Sequence, residues 1–319
     1  MTWLVTGGAG YIGAHVVAAL RADGAGVVVL DDLSTGLKER VPDGVDLIVG
    51  SVLDRTVLDA AIADHRVTGV IHLAGKKRVE ESVARPLHYF HENVEGLRVL
   101  LTAIAEHGVG SLVFSSSAAV YGMPDVDRVT ERTPCAPLSP YGLTKLIGEQ
   151  LVAATAAAHP FGHVSLRYFN VAGAAGPALA DRGAANLIPM VFERLSAGLP
   201  PRVFGDDYPT PDGTCVRDYI HVADLADAHV AAARRLAADP ATALVVNAGR
   251  GVGVSVREII AAVGEVVGDP GLRGVVEARR PGDPPRSVAS ADLIRAELGW
   301  SARLDVRAMV ESAWAGWRR

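Results

Sequence analysis

The sequence has little of what marks secreted, membrane-spanning or nucleic-acid-binding proteins. Its 319 residues include two cysteines, Cys135 and Cys215, which allow neither a disulfide framework nor a metal-ligand spacing, so we expect a reducing compartment and no bound metal. The formal net charge of -5 provides no basic footprint for nucleic acid. No apolar run approaches the ~20 residues of a membrane span, and a glycine-rich segment that begins at Gly7 leaves no room for a signal peptide. These absences predict a soluble, cytoplasmic protein that binds neither nucleic acid nor a membrane.

What the sequence does contain is an alternation of short β-branched runs with longer helical patterns, which is typical of a parallel sheet. The predicted strands are residues 3–6, 27–30, 46–49, 70–73, 112–115 and 164–168, with helices at 12–23 and 93–107. Beyond about residue 170, clusters of Gly, Pro and Asp predict a loop-rich second lobe. We therefore expect a Rossmann-type doubly wound parallel sheet in residues 1–168, to which pieces near 215–248 return. A smaller, discontinuous α/β substrate-binding lobe is expected in residues 169–319.

A glycine-rich loop lies between the first predicted strand and the first predicted helix. Gly7, Gly10 and Gly13 allow a tight turn and close backbone approach, while the N–H groups at the helix start can bind a pyrophosphate. Asp31 ends the second predicted strand, where a carboxylate can bind the adenosine ribose hydroxyls and would repel a 2′-phosphate. The pattern predicts NAD rather than NADP as the cofactor.

A tyrosine and a lysine four residues apart, Tyr141 and Lys145, form a candidate proton-transfer pair. Positions i and i+4 share one helix face, and Ser139 followed by Pro140 predicts that this helix begins just before the tyrosine. A free tyrosine has a pKa near ~10, and an adjacent cation would lower that pKa toward the range of a working base. The spacing often arises by chance, so its weight depends on the surrounding motifs.

Several longer segments accompany these motifs, at residues 115–122, 166–170, 204–221 and 279–283. Taken together with them, the chain resembles the extended short-chain dehydrogenase/reductases over nearly its full length, and among these the UDP-sugar 4-epimerases. The resemblance implies NAD-dependent epimerisation at C4 of a UDP-hexose through a transient 4-keto intermediate. It also implies the interconversion of UDP-glucose and UDP-galactose, as in galactose metabolism, by a homodimer.

The resemblance further implies roles for individual residues. The catalytic residues would be Ser117, Tyr141 and Lys145. The cofactor would contact these three and Gly7, Gly10, Tyr11, Ile12, Gly13, Asp31, Asp32, Leu33, Ser34, Thr35, Gly36, Ser51, Val52, Leu73, Ala74, Gly75, Lys77, Asn93 and Phe169. The UDP-sugar would contact Ser117, Tyr141, Asn170, Asn186, Leu187, Arg202, Val203, Phe204, Arg217, Arg280, Asp283 and Ser287.

Three residues depart from the family pattern. Ser51 replaces a carboxylate that contacts adenine, and Ala119 replaces a threonine that can contact the sugar. Ser287 stands where bulk limits the space around the sugar 2-substituent, so there is room for an N-acetyl group unless neighbouring loops fill it. UDP-GlcNAc and UDP-GalNAc, or a UDP-pentose, are therefore alternative substrates.

Three other functions on the same fold are less consistent with the residues present. A nucleotide-sugar dehydratase needs an Asp-Glu pair just after the serine, where this chain has Ala118 and Ala119. Reduction of a keto-sugar with NADPH is disfavoured by Asp31. A non-catalytic NAD-binding protein would not need a serine, a tyrosine and a lysine together, so we expect an epimerase.

Overall fold

The structure is a computed structural model that describes residues 1–183, 186–280 and 282–318. Its strands are β1 Thr2–Thr6, β2 Gly26–Asp31, β3 Asp46–Val49, β4 Gly69–His72, β5 Ser111–Ser117, β6 Gly162–Tyr168, β7 Asn170–Ala172, β8 Arg202–Phe204, β9 Val216–His221, β10 Ala243–Ala248, β11 Gly253–Ser255, β12 Val275–Glu277 and β13 Arg286–Ser287. Its helices are α1 Tyr11–Ala22, α2 Arg55–Asp64, α3 Val79–Ala84, α4 Pro86–Tyr89, α5 Gly96–His107, α6 Pro140–Ala158, α7 Leu187–Ser196, α8 Val222–Ala238, α9 Val256–Val267, α10 Asp292–Leu298 and α11 Val306–Trp317. Pro281, which belongs to the 279–283 segment, lies outside the described residues.

A parallel sheet of seven strands, in the order β10-β6-β5-β4-β1-β2-β3, forms the centre of the fold. Apolar strand residues are buried from both faces, as in other parallel sheets. Helices α1 and α8 pack on one face, and α2, α5 and α6 pack on the other. The predicted Rossmann-type sheet is confirmed.

The predicted strand positions agree with the structure to within two residues at each end. The predicted helix at 93–107 differs, because the chain is already helical from Pro86, a residue suited to a first helical position. A π-helical turn, Phe90–Glu95, then joins α4 to α5. Such turns insert an extra residue into a helix and are frequent at functional sites; this one contains Asn93.

The remaining elements build a second lobe with its own core. Strands β11, β9 and β13 form one small sheet, with β7 beside β9, and β12 pairs with β8. Helices α7, α9 and α11 enclose apolar side chains that include Phe192, Ile260 and Met309. Between segments of this lobe the chain returns to the first half, since β10 extends the central sheet and α8 packs against α1. The domain boundary at residue 168 stays a prediction.

Helix α11 connects several parts of the second lobe. The Ser312 hydroxyl accepts a hydrogen bond from Ala174 N at 3.2 Å and lies 3.1 Å from His221 Nε2. A Cβ added at Gly316 would lie 2.2 Å from Ala180 Cβ, so the helix packs directly against the segment around Ala180.

None of the helices in the described parts of the chain is both long and apolar enough to cross a membrane.

Candidate active site

A cavity of about 720 Å³ opens at the carboxyl ends of the central strands. In open parallel sheets this edge binds ligands, at the point where the strand order reverses. Most of the predicted cofactor residues line the cavity, namely Gly7, Gly10, Tyr11, Ile12, Gly13, Asp31, Asp32, Ser34, Thr35, Ser51, Val52, Leu73, Ala74, Gly75, Lys77, Tyr141 and Lys145. Of the described residues in that predicted set, Leu33, Gly36, Asn93, Ser117 and Phe169 do not line it directly. A second cavity, between α1, α8 and the segment after α10, is lined by none of the predicted site residues.

The glycine loop between β1 and α1 has no room for side chains. Gly7 has a φ of +72°, and a Cβ there would lie 2.7 Å from Ala74 N. A Cβ at Gly13 would lie 2.1 Å from Gly7 O. Helix α1 begins after Gly10, and no side chain of the described residues caps it, so its free N–H groups are available at the cavity. This arrangement fits a pyrophosphate.

The loop after β2 is arranged around Asp31. The buried carboxylate accepts hydrogen bonds from Ala9 N and Leu33 N, each at 2.9 Å. Burial raises the pKa of this carboxyl. Leu33 has the left-handed backbone conformation, with φ 57°, which costs a non-glycine residue about 1 kcal/mol. The loop also packs closely against the carboxylate, since a Cβ at Gly36 would lie 2.6 Å from Asp31 Oδ1. A carboxylate has further lone pairs for ribose hydroxyls, so the site fits NAD.

Another wall of the cavity, next to the loop after β2, is formed by the loop after β4, which carries three consecutive basic residues. Lys76, Lys77 and Arg78 all line the cavity, although only Lys77 was predicted. Lys76 Nζ donates to Ser34 Oγ at 3.2 Å and so connects this wall to the loop after β2. The run of basic residues was a signal that sequence reasoning could have used.

Asn93 does not line the cavity, but its side chain holds the loop after β4, which does. Its Oδ1 accepts from Lys76 N at 2.7 Å, and its Nδ2 donates to Lys76 O at 3.0 Å and to Thr144 Oγ1 at 3.1 Å. The amide thus ties the basic loop to α6 at the residue before Lys145. The π-helical turn places Asn93 for this contact.

Helix α6 presents the tyrosine and the lysine to the cavity together. Ser139 Oγ accepts a hydrogen bond from Gly142 N at 3.1 Å, and Pro140 is the first helical residue, which confirms the predicted start. Lys145 Nζ donates to Ser115 O at 2.8 Å and lies 6.0 Å from the ring centroid of Tyr141. The ammonium is thus fixed to β5 at Ser115, two residues before Ser117 ends the strand.

The pKa values of this group differ from the expectation for an adjacent cation. Burial lowers the pKa of Lys145 from 10.5 to about 8, while Glu149 raises it. Burial raises the pKa of Tyr141 above its ordinary 10.0, and a hydrogen bond with Ser117 lowers it. The neighbour that favours the phenolate is Ser117, while the Lys145 ammonium donates its hydrogen bond to a backbone carbonyl oxygen.

The structure distributes the predicted substrate residues over the second lobe. Asn170 is exposed on β7, while Asn186 donates to Asp181 Oδ2 at 3.0 Å, just before Leu187 begins α7. Arg202 and Val203 lie on β8, where Arg202 Nε is 3.1 Å from Glu277 Oε1.

Two smaller groups of these residues do come together. Arg217 on β9 donates to Pro284 O at 2.6 Å, lies 3.6 Å from Asp283 Oδ1, and is in register with Ser287 on β13. These contacts place the guanidinium, the carboxylate and the serine in one cluster.

The second group is Arg280, whose guanidinium carbon lies 3.9 Å from the ring centroid of Phe204. Its Nε is also 3.9 Å from Glu80 Oε1 on α3, so this arginine faces the first half of the molecule. Apart from Tyr141, the predicted substrate residues do not line the main cavity within the described chain.

The chain is similar to a family of known enzymes over nearly its full length. Residues 3–249 match the model of the NAD dependent epimerase/dehydratase family. The chain is 46% identical to a UDP-glucose 4-epimerase of Azospirillum brasilense, over 99% of this chain and 91% of that protein. A crystal structure of a UDP-glucose-4-epimerase from Stenotrophomonas maltophila, with bound NAD and formylated UDP-arabinopyranose, superimposes with a TM-score of 0.95 at 40% identity, covering 100% of this chain and 98% of that one. A UDP-glucose 4-epimerase from Bifidobacterium longum in complex with NAD+ and UDP gives a TM-score of 0.92 at 38% identity, covering 100% and 98%.

Proposed function

The chain belongs to the NAD dependent epimerase/dehydratase family, and from this premise we propose that it inverts C4 of a UDP-hexose, interconverting UDP-glucose and UDP-galactose. The observation that carries the proposal is that Tyr141 and Lys145 line the same cavity as the glycine loop and Asp31. A base and a site for a hydride acceptor therefore meet in one place.

The catalytic residues would act on the sugar hydroxyl. Tyr141 accepts the proton of the C4 hydroxyl and later returns it to the 4-keto sugar, after the hexose has turned its other face to the cofactor. Ser117, which lowers the pKa of the phenol, shares that proton, and Lys145 holds a positive charge 6.0 Å from the ring centroid. Bound NAD supplies a hydride acceptor that gives the same hydride back, so the reaction has no net redox change.

The second lobe would hold the substrate by its nucleotide. Arg217 and Arg280 have planar guanidinium groups, which bind phosphate oxygens through paired, charge-assisted hydrogen bonds. A grip on the diphosphate leaves the hexose free to rotate, as inversion through a keto intermediate requires.

The Tyr141→Phe variant tests the assigned base. It keeps the buried ring and removes only the hydroxyl, so we expect turnover of UDP-galactose to fall by about 10² to 10⁴, with NAD content unchanged. Turnover would be followed by NMR and NAD content by chromatography of the denatured protein.

Tyr208→Phe is the matched control, because the Tyr208 hydroxyl is buried without a hydrogen-bond partner among the described residues. Appreciable turnover by Tyr141→Phe would contradict the assignment. Stoichiometric NADH release by the unmodified protein would indicate a dehydrogenase.

Inversion of UDP-GlcNAc is a second candidate reaction. Ser287 is half-buried and in register with Arg217, so a small side chain stands beside a residue proposed to bind the diphosphate. A small residue there leaves space for a 2-acetamido group.

We also propose that the protein acts as a homodimer. Val79, Val83 and Leu87 follow one another at intervals of four on α3 and α4, and their exposed fractions are 47%, 63% and 83%. Exposed apolar groups of this kind are typical of protein interfaces. Light scattering should give twice the 33.3 kDa mass of one chain. The cytoplasmic location stays a prediction.

A further inference from the structure

A buried ion pair lies one helical turn beyond Lys145 on the same face of α6. Glu149 follows Lys145 by four residues on that helix, and Arg167 comes from β6. The guanidinium binds the carboxylate through two hydrogen bonds, Nε to Oε1 at 2.8 Å and Nη2 to Oε2 at 2.6 Å. Both side chains are more than nine-tenths buried, with exposed fractions of 7% and 6%.

The pair is bonded to the segment that carries the catalytic serine. Ser116 donates its hydroxyl hydrogen to Glu149 Oε1. Arg167 Nη1 donates to the Tyr121 hydroxyl at 2.8 Å, and that hydroxyl donates to Asn247 Oδ1 at 2.7 Å. Ser117 therefore lies between two residues that the ion pair holds.

Burying two charges is costly, and apolar replacements of buried pairs are often equally stable. Stability alone thus gives no reason for this pair. Its position offers another reason, because residues four apart share a helix face and Glu149 therefore lies on the side of Lys145. The carboxylate favours the protonated lysine, and Arg167 opposes that effect by pairing with the carboxylate.

The other groups around Lys145 do not replace this carboxylate. His72 on β4 is neutral, since burial and the lysine charge lower its pKa to about 3. Burial raises the pKa of Tyr168 on β6, so its phenol carries no charge that could take the place of the carboxylate. Burial also raises the pKa of Tyr141 on α6, which is the proton acceptor of the proposed reaction.

The carboxylates on the helical segments packed against α6 have partners of their own. Glu81 on α3 accepts from the Tyr89 hydroxyl at 3.1 Å, and Glu92 in the π-helical turn lies 3.9 Å from Lys76 Nζ. On α5, the Glu106 carboxylate is paired with Arg55. On the 3-10 turn Ala118–Tyr121, the Tyr121 hydroxyl accepts a hydrogen bond from Arg167.

We propose that Glu149 and Arg167 are positioning residues that set the charge experienced by Lys145 and anchor the end of β5 that carries Ser117. This role rests on the proposed C4 epimerisation, because it concerns the proton transfer of that reaction.

The two partners should affect Lys145 with opposite sign. Glu149→Gln removes a negative charge, so the pKa of Lys145 falls and the alkaline limb of the activity profile moves to lower pH. Arg167→Met leaves Glu149 uncompensated, so the pKa rises and the limb moves to higher pH. We expect shifts of about one pH unit in each direction, and an intermediate value in the double variant.

The experiment combines direct titration with kinetics on the full chain. The sequence contains four lysines, Lys38, Lys76, Lys77 and Lys145. In protein labelled with ¹³C-lysine, Lys145→Arg therefore identifies the signal whose chemical shift reports the pKa of Lys145. The same preparations would give the pH dependence of kcat with UDP-galactose.

Controls separate a charge effect from a structural one. Glu106→Gln and Arg55→Met disrupt an exposed ion pair and should move neither measurement. Glu149→Asp keeps the charge and should keep the lysine pKa near that of the unmodified protein, even if the fold is less stable. If Glu149→Gln does not fold, the double variant, which leaves no unpaired charge, is compared with Arg167→Met.

Shifts of the same sign in both single variants, or no shift, would overturn the proposal. An unmodified protein that fails to epimerise UDP-sugars would instead refute the proposed function. The NMR titration still decides the charge coupling in that case.

Discussion

The two halves of the molecule prepare their sites in different ways. In the first half, the glycine loop, Asp31 and the Tyr141–Lys145 face all line one cavity. In the second lobe, Arg217 and Ser287 form one cluster, and Arg280 with Phe204 forms another. The backbone of the first half thus brings its site residues together, whereas the second lobe presents separate groups, which we propose a UDP-sugar brings together.

Topology explains this contrast. Parallel strands place their carboxyl ends at one edge of a sheet, so residues that follow different strands meet there without a ligand. In the described chain, the lobe has four short strand pairings, β7–β9, β11–β9, β13–β9 and β12–β8, between segments far apart in sequence, and it has no comparable edge. Mutations in the first half should therefore damage cofactor binding and structure together, and mutations in the lobe should damage substrate binding alone.

The largest effect is expected for Gly13→Ala, which would break the first half. The new Cβ would lie 2.1 Å from Gly7 O, so the loop must move away from its present position. We expect a loss of stability of about 1–3 kcal/mol, loss of most copurified NAD, and little remaining turnover. Thermal denaturation and NAD content would measure this.

Gly110→Ala is its control, because a Cβ at Gly110 would meet nothing within 4 Å. Retention of NAD at the level of the unmodified protein by Gly13→Ala would show that the loop is not preformed as described.

A smaller and more selective effect is expected for Arg217→Met in the lobe. Loss of one charge-assisted contact costs about 1.5–3 kcal/mol, which corresponds to UDP binding weakened roughly 10- to 100-fold. NAD content should not change, since Arg217 does not line the cofactor cavity among the described residues. Calorimetry with UDP provides the measurement, and Arg257→Met, at an exposed arginine of the same lobe, is the control. Joint loss of NAD and UDP would remove the distinction between the halves.

The smallest effect concerns the choice of sugar. Ser287→Tyr should lower kcat/KM for UDP-GlcNAc relative to UDP-glucose by about 10-fold or more, in the range of discrimination by pocket size. Ser287→Ala, which adds no bulk, should keep the ratio. If the ratio is the same for Ser287→Tyr and the unmodified protein, neighbouring loops rather than this position set the space.

Sequence reasoning performed best where neighbours in sequence act together. The position of Asp31 in the cofactor site could be predicted because Asp31 ends the buried strand that follows the glycine loop and helix α1. The start of α6 could also be predicted from a local signal, since the capping Ser139 and the first helical residue Pro140 are adjacent in sequence. Glu149 had a usable signal, four residues after Lys145, but its partner Arg167 depends on the pairing of β5 with β6.

Other features depend on contacts that no local pattern encodes. The π-helical turn around Asn93 carries no composition signal, and it places the Asn93 side chain against the backbone of the loop after β4. The cofactor contact of Asn93 stays a prediction. The register of Arg217 with Ser287 joins residues seventy positions apart. Burial of Tyr141, which reverses the expected direction of its pKa, likewise follows from tertiary packing.

Helix α11 has a consequence for synthesis of the chain. It touches α7, α9 and β9, and through Ser312 it holds Ala174 and His221, yet it is translated after all of them. The first six strands of the central sheet and their helices can fold while translation continues. We expect the substrate lobe, in contrast, to stay open on the ribosome until this helix emerges, so that a nascent chain could acquire NAD before it can grip a nucleotide sugar.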